Sequence, residues 1–509
     1  MLNQKDINTL NSIKKNTLLI QQQLLKLRDK KSCFSIVKPA TLGEGIHEFS
    51  TEEQTQFQVF FDQHGSSINP IKFVPASGLA SRMFLFLREF IDSFDPLKES
   101  IEDYFTDGQK KEFLFFVEHL EEYPFYLKIK NHIEKKKGPF KNRGQFLFHF
   151  VQTLLEDQNL GMEGKAKALL PIFNSSNELN KTAYEFQILE TLSLFSNTSK
   201  VKIHFAIDPS QLSEYLVLEK MFWSQLSEPD QSRLQIDYTF QNTKTDSISL
   251  NEDGTILRDD KKQIIFRKAG HGALLENIKR IQSDLLFIKT IDSIWPNDIR
   301  SAKTQKFLGG VYLKSRFKVE LLLKNLSENV PNSIEKTLSY IKETFHIDHS
   351  QQLGSSTFEE KKIFLKEFLN RPLRVCGMIV NTGKPGGGPF WIEKNGQIYL
   401  QIVESSELES SELESKKHRF EDSSFFNPVN MVCGLQDFDQ QYWDLEKFKD
   451  DDRCIISKKV HNGKTIKIFE YPGLWNGSMA YWNSIFVKIP QATFRSLKTI
   501  NDCLEQKKT

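Results

Sequence analysis

The chain has 509 residues and a formal charge of +2, with 39% hydrophobic and 26% charged residues. A near-neutral balance without a sustained basic block argues against a nucleic-acid or membrane-surface partner, and the length allows two or three cores. Five scattered cysteines (Cys33, Cys376, Cys433, Cys454 and Cys503), odd in number and without Cys-x-x-Cys spacing, predict reduced thiols and no structural zinc.

From Ile7 to Lys30 the apolar residues Ile7, Leu10, Ile13, Leu18, Leu24 and Leu27 recur at helical spacing. They predict one amphipathic helix, within a helical extension over residues 1–64. This stretch lacks the uninterrupted apolar core of a signal peptide or membrane span, which predicts a cytoplasmic protein. An α/β core is predicted over 65–300, opening with the strand-to-loop junction "INPIKFVPASG". Its residues from about 84 to 160 are dense in Phe, Leu, Glu and Lys at helical spacing and predict a helical insertion. The runs "KVKIHFAID", "LQIDYTFQ", "QIIFRKAG" and "DLLFIKTID" follow, separated by helical patterns. Strands alternating with helices predict a mixed, mostly parallel sheet. A helical segment is expected over 301–370. From 371 to 509 strands dominate, including "VCGMIVN", "GPFWIEKNGQIYLQIVE" and "SIFVKIP". The tandem "SSELESSELE" predicts a polar loop or helix.

Chemistry first surfaces in "FVPASGLASRMF". A loop of small residues after a strand lets backbone N–H groups approach an anion, and a following helix start adds partial positive charge. Arg82 at its end offers a planar donor fork for phosphate oxygens. A tight strand–helix turn with Arg82 in a surface ion pair gives the same pattern. In "GKPGGGPFW", three successive glycines beside Phe390 and Trp391 fit either a hairpin tip or a loop folded over a site. Trp391 or Trp475 can stack on a base or sugar ring, or simply pack in a core.

Paired with "KALLPI" (Lys167–Ile172), the loop "PASGLASRM" resembles the two-part signature of sugar nucleotidyltransferases. Ala80 replaces the second Gly, Ser81 the Thr, and Ala166 the Pro before the Lys. "RKAGHGALLENIKRI", "DLLFIKTIDSI", "GQIYLQIVESSEL", "FFNPVNMVCG" and "FRSLKTINDCL" resemble, in the same order, blocks of the UDP-sugar pyrophosphorylases. The chain as a whole is most similar to a bacterial family catalogued only as a domain of unknown function. In it "PASG.ASRM", "GHGALLEN", "GGGPFW", "FNPV" and "YPGLWNG" recur together.

The resemblance implies a Rossmann-like sheet of the nucleotide-diphospho-sugar transferase (GT-A-like) type. A nucleotide-binding core would carry the helical insertion, and a β-rich C-terminal part would bind sugar. It implies an Mg²⁺-dependent nucleotidyltransferase using UTP and a sugar 1-phosphate. Arg82, Lys167 and Lys498 would be catalytic cations. Ala76, Ser77, Gly78, Ser81, Gln241, Gly270, His271 and Gly272 would bind nucleotide. Glu404, Glu407, Asn427 and Asn430 would bind sugar, and Asp292 would hold Mg²⁺ at a strand's carboxyl end. Ser293, where relatives have Asn directly after this Asp, departs from the pattern. A helix-entry turn explains His271 equally, and an N-cap explains Asp292. Two other functions share such a fold: a non-catalytic nucleotide or nucleotide-sugar binding protein, and a glycosyltransferase. The Asp-x-Asp pair usual for the latter is not evident.

Overall fold

The structure, a computed structural model, describes residues 2–29, 34–65, 68–105, 110–173, 181–291, 293, 299–383, 386–408, 422–494 and 497–504. Nine strands form the main sheet's path: β1 (Thr41–Leu42), β2 (Gly45–His47), β3 (Pro70–Pro75), β4 (Val201–Ile207), β5 (Leu234–Phe240), β6 (Leu285–Lys289), β7 (Leu373–Val380), β8 (Asn430–Gly434) and β9 (Asn483–Lys488). Their spatial order is β1-β2-β9-β7-β8-β6-β3-β4-β5. A short strand, Phe425–Phe426, pairs with the end of β7. All neighbours on the path are parallel except β8, which runs against both β7 and β6. Parallel strands covered on both faces are apolar throughout, which is why β3, β4, β6 and β7 read as continuous hydrophobic runs.

Helices Thr51–His64, Ala183–Leu194, Ile299–Ser327 and Ser333–Phe345 cover one face of this sheet. The other face packs on Leu274, Leu275 and Ile278, on the hairpin Gly388–Lys394/Gln397–Val403, and on the segment from Leu474 to Trp482. A separate four-stranded sheet, including Ile455–His461 and Lys464–Glu470, packs under helix Thr17–Arg28. Between β3 and β4 lie helices Leu85–Ser93, Lys111–Glu118, Tyr126–Lys137 and Arg143–Glu156. Stacked phenylalanines bind them: Phe90 lies 4.9 Å from Phe94 and 4.1 Å from Phe113, centroid to centroid.

The N-terminal expectation needs two corrections. The single helix predicted over 7–30 is two helices, Gln4–Ser12 and Thr17–Arg28. Lys14 between them has φ 57°, and the Asn16 side chain caps the second helix by accepting the Leu19 N–H at 3.2 Å. Nor are residues 1–64 wholly helical. Ser35–Pro39 pairs with Gly388–Lys394, and β1 and β2 extend the main sheet. In "SSELESSELE", Ser405–Glu407 forms a 3₁₀ turn, and the remainder from Glu409 on lies outside the described residues.

Because β8 is reversed, its first residue, Asn430, pairs with Lys289, the last of β6. One rim therefore collects the carboxyl ends of β3, β4, β5, β6, β7 and β9 together with the amino end of β8. Open α/β sheets bind ligands on that rim.

Inside the sheet, Lys72 of β3 and Lys289 of β6 both reach Glu190 on helix Ala183–Leu194, at 2.6 and 2.7 Å. Lys289 also donates to Ser301 Oγ at 2.6 Å, and Gln305 Nε2 donates to Glu190. Burial pushes the Glu190 carboxyl up, but Lys289 and Lys72 outweigh it and hold its pKa well below the usual carboxylate range. Burial also draws the Lys72 ammonium down, against the pull of Glu190.

Glu190→Gln should lower unfolding free energy at pH 7 by about 3–5 kcal/mol, because it leaves two ammonium groups buried without a counter-charge. The carboxyl's folded pKa is depressed, so its contribution is complete above about 4.5 and disappears as pH falls toward about 2. Urea unfolding of both proteins should show the gap between them narrowing over that acid range. A gap that is constant with pH would contradict the assignment.

Candidate functional site

The small-residue loop leaves β3 at Pro75. Ala76 is tied down on both sides: its N–H donates to the Ala206 carbonyl at 2.8 Å, and its carbonyl accepts the Tyr215 hydroxyl at 2.9 Å. Beyond it, the N–H groups of Ser77, Gly78 and Leu79 donate to no acceptor among the described residues. A side chain at Gly78 would meet nothing within 4 Å. The loop therefore presents a bare backbone edge to open space, the arrangement that receives an anion.

The second half of the signature lies directly against this loop. Ala80 N–H donates to the Lys165 carbonyl at 2.9 Å, and Lys167 N–H to the Gly78 carbonyl at 3.0 Å. Leu79 and Ala166 thus form a bridge, and the two distant stretches become one unit. Lys167 Nζ then donates to the Leu497 carbonyl at 3.0 Å, which brings Lys498 alongside. Asp502 fixes that last segment by accepting the N–H groups of Lys498 and Thr499 at 2.6 and 2.7 Å. Tyr123 and Glu112, from the helices after β3, bind Asn501. Ser81 and Arg82 are exposed on the 3₁₀ turn Ser81–Phe84, and Arg82 makes no ion pair among the described residues.

Across the rim lies a second group. Asn427 and Asn430 are 3% and 2% exposed, and the Nδ2 group of each lacks an acceptor among the described residues. Asn427 Oδ1 accepts the Val429 N–H at 3.0 Å, and its own N–H donates to the Gly387 carbonyl at 2.8 Å. Val429 between them has φ 56°, a conformation that a β-branched residue resists. Strain and unpaired donors buried together at a sheet rim point to a binding function. Glu404 adjoins Gly387 and accepts the Trp475 indole N–H at 3.0 Å. Trp475 stacks on His271 at 4.1 Å.

His271 accepts the Leu474 N–H through Nδ1 at 3.0 Å, which leaves the proton of the neutral ring on Nε2, 3.9 Å from Glu404 Oε1. The glycines around it serve the protein's own packing. Gly270 has φ 70°, and a Cβ on Gly272 would lie 2.1 Å from the Pro472 carbonyl oxygen. The protein's own packing thus already requires both glycines, Gly270 beside the Glu470 side chain and Gly272 against the Tyr471–Pro472 backbone, independently of any nucleotide. The expectation for Glu407 is corrected. That residue is fully buried, its carboxylate is held by Arg453 Nη2 at 2.8 Å, and it locks the Ser405–Glu407 turn to the core instead of meeting a sugar.

Gln241 follows the last residue of β5 at the rim and donates to Thr245 Oγ1 at 3.4 Å. Asp292 lies outside the described residues. Trp391 is 6% exposed and donates toward the Glu44 carbonyl, away from this constellation. Sequence reasoning missed Asp208, directly after β4, which pairs with Lys268 just before Gly270. Burial would raise that carboxyl, yet Lys268 and Ser210 hold it at about 2. The signal was an aspartate ending "KVKIHFAID", the same pattern that singled out Asp292.

A family model described as a domain of unknown function, DUF4301, matches residues 3–509. No curated protein matches the chain. Among solved structures, the UDP-glucose pyrophosphorylase from Leishmania major is similar at 12% identity, covering 99% of this chain and 79% of its own, with a TM-score of 0.45. The uridine diphosphate N-acetylglucosamine pyrophosphorylase from Trypanosoma brucei is similar at 8% identity, covering 96% and 74%, also with a TM-score of 0.45. Likenesses at this level say nothing of activity.

Gly272→Ala should separate the His271 loop from the Tyr471–Gly473 segment, since neither backbone can give way cheaply. A loss of about 1–3 kcal/mol is expected, as for overpacking in a core. Near-UV circular dichroism should report the accompanying loss of the Trp475–His271 stack. An unchanged spectrum would show that the contact is not what holds the stack.

Proposed function

The chain belongs to the DUF4301 family, and we propose that it is a nucleotidyltransferase joining a nucleoside triphosphate, UTP, to a sugar 1-phosphate with release of pyrophosphate. The observation that carries this reading is the single hydrogen-bonded unit made by the loop before Arg82, the Lys165–Lys167 stretch and the Leu497–Lys498 segment. It brings the backbone positions of Arg82, Lys167 and Lys498, from three stretches of the chain, to one unsaturated backbone edge, which supports a shared phosphate ligand. A lone phosphate-binding turn needs only one such stretch.

In the reaction, a phosphate oxygen of the sugar 1-phosphate attacks the α-phosphorus, the bond to the β-phosphate oxygen breaks, and pyrophosphate leaves. Two anions must be brought together and the charge on the transferred group met by fixed donors. The N–H groups of Ser77, Gly78 and Leu79 with Arg82 would hold the triphosphate, while Lys167 and Lys498 would lie along the reacting phosphates. The Nδ2 donors of Asn427 and Asn430, with Glu404, would orient sugar hydroxyls. His271 and Trp475 would present a flat wall to the ligand and a Nε2–H donor. No covalent intermediate is required, and no described side chain needs an altered protonation state.

Mg²⁺ belongs to this proposal as the ion that neutralises phosphate charge when bound. Its proposed carboxylate, Asp292, has as sequence neighbour the Ser293 hydroxyl, 1% exposed and without a partner among the described residues. A buried, unpaired hydroxyl suits a metal-bound water, and Mg²⁺ keeps several waters while taking one or two carboxylates.

Incubation with each nucleoside triphosphate and a panel of sugar 1-phosphates should release pyrophosphate, with EDTA stopping the release and Mg²⁺ restoring it. Arg82→Ala and Lys498→Ala, both at exposed positions, should each lower kcat/KM by about 10²–10³, as for removal of one charge-stabilising donor, without changing Tm. Nucleotide binding with no pyrophosphate from any pair would identify a binding protein instead. Consumption of a UDP-sugar without pyrophosphate would identify a glycosyltransferase.

A further inference from the structure

The opposite edge of the main sheet, where β7 and β9 begin, carries a second unsaturated cluster. A cavity of about 30 Å³ is lined there by Arg371, Tyr399, Tyr481, Trp482 and Ser484, with Phe368 as part of its wall. Trp482 is 4% exposed, and its indole N–H has no acceptor among the described residues. Arg371 is partly buried, with its guanidinium over the Phe368 ring at 5.3 Å, and it forms no ion pair among the described residues. A buried indole N–H without a partner loses a hydrogen bond for nothing. A guanidinium withdrawn from water without a carboxylate is costlier still.

Both deficits are relieved by the same occupant. We propose that this cavity binds a small oxyanion, a carboxylate or phosphate group, held by the Arg371 guanidinium and the Trp482 indole N–H. About 10–15 Å³ of such space holds one water, so the volume admits a group of a few atoms and excludes a nucleotide. Arg371 offers paired donors matched to two oxygens. Burial lowers the Arg371 pKa, opposed by Tyr399 and by Glu367, whose side chain is exposed; an anion in the cavity would oppose it more strongly.

The site is separate from the rim but not isolated from it. Ser484 Oγ in the cavity wall accepts from Arg374 Nε at 2.7 Å, and Arg374 Nη1 donates to the Trp475 carbonyl at 2.6 Å. One buried guanidinium therefore joins the cavity wall to the residue stacked on His271. Nothing in this inference depends on the nucleotidyl-transfer reading, and its test requires no turnover.

Six tryptophans give six indole N–H resonances in a ¹⁵N–¹H spectrum of the full chain, and Trp482→Phe identifies the one that belongs to Trp482. Titration with acetate in one arm and inorganic phosphate in the other should shift that resonance saturably, and the arm with the lower midpoint distinguishes carboxylate from phosphate. Arg371→Met, which keeps the length of the side chain, should raise the midpoint at least tenfold while the remaining spectrum stays folded. No movement of the Trp482 resonance at tens of millimolar of either anion would overturn the proposal. An equal midpoint in Arg371→Met would overturn it as well.

Discussion

Everything at the rim depends on a pair of lysines inside a sheet. Lys72 stands fully buried in the middle of an apolar strand, where an isolated ammonium would cost several kcal/mol. Glu190 makes that tolerable by meeting Lys72 with one oxygen and Lys289 with the other, so that helix Ala183–Leu194 is fixed across two adjacent strands at once. Ser301 and Gln305 extend the same network into helix Ile299–Ser327. A hydrophobic interface between helix and sheet allows sliding by a fraction of a residue. This network has one register, because moving any member strands a charge. The carboxyl ends of β3 and β6, which launch the small-residue loop and the Asp292 region, inherit that register.

The same device recurs on the other face. Arg453 and Glu407, both completely buried, tie the turn after the Gln397–Val403 strand to the segment before Ile455–His461, and Asn476 adds a contact to Glu407 at 3.3 Å. Arg374, buried without a carboxylate, anchors the carbonyl of Trp475. The polar rim is thus held from beneath by guanidinium groups whose own hydrogen bonds are spent on the scaffold. Charges that define geometry are buried, whereas Arg82 and Lys498, the charges assigned to substrate, are exposed. That division separates scaffold from site more cleanly than residue type does.

Sequence patterns exposed the parts of this arrangement that are local. The apolar runs of β3, β4, β6 and β7 are continuous because both faces of the sheet are covered, and "PASGLASRM" shows its small residues wherever it folds. Pairings across long separations left no such trace. Glu404 and Glu407 stand three residues apart in one short turn, and only Arg453, far along the chain, determines that the second faces inward. Gly272 looked like a ligand contact because close approach to a ligand and close approach to Pro472 demand the same residue. The strands at Ser35–Pro39 and Gly45–His47 were hidden for another reason. They are short elements whose pairing is supplied by partners hundreds of residues away.

The reversal of β8 affects how the protein can vary. A loop at a strand's carboxyl end is free to drift as its length changes. The turn from Asn427 to Asn430 instead enters a strand hydrogen-bonded on both edges, to β7 and to β6, and Phe425–Phe426 is stapled to β7 just upstream. Length changes at the other loops of the rim would therefore reshape the approach to it while the two amides, fixed also by the Asn427 N–H on the Gly387 carbonyl, keep their coordinates. Substrate access and donor placement are mechanically uncoupled.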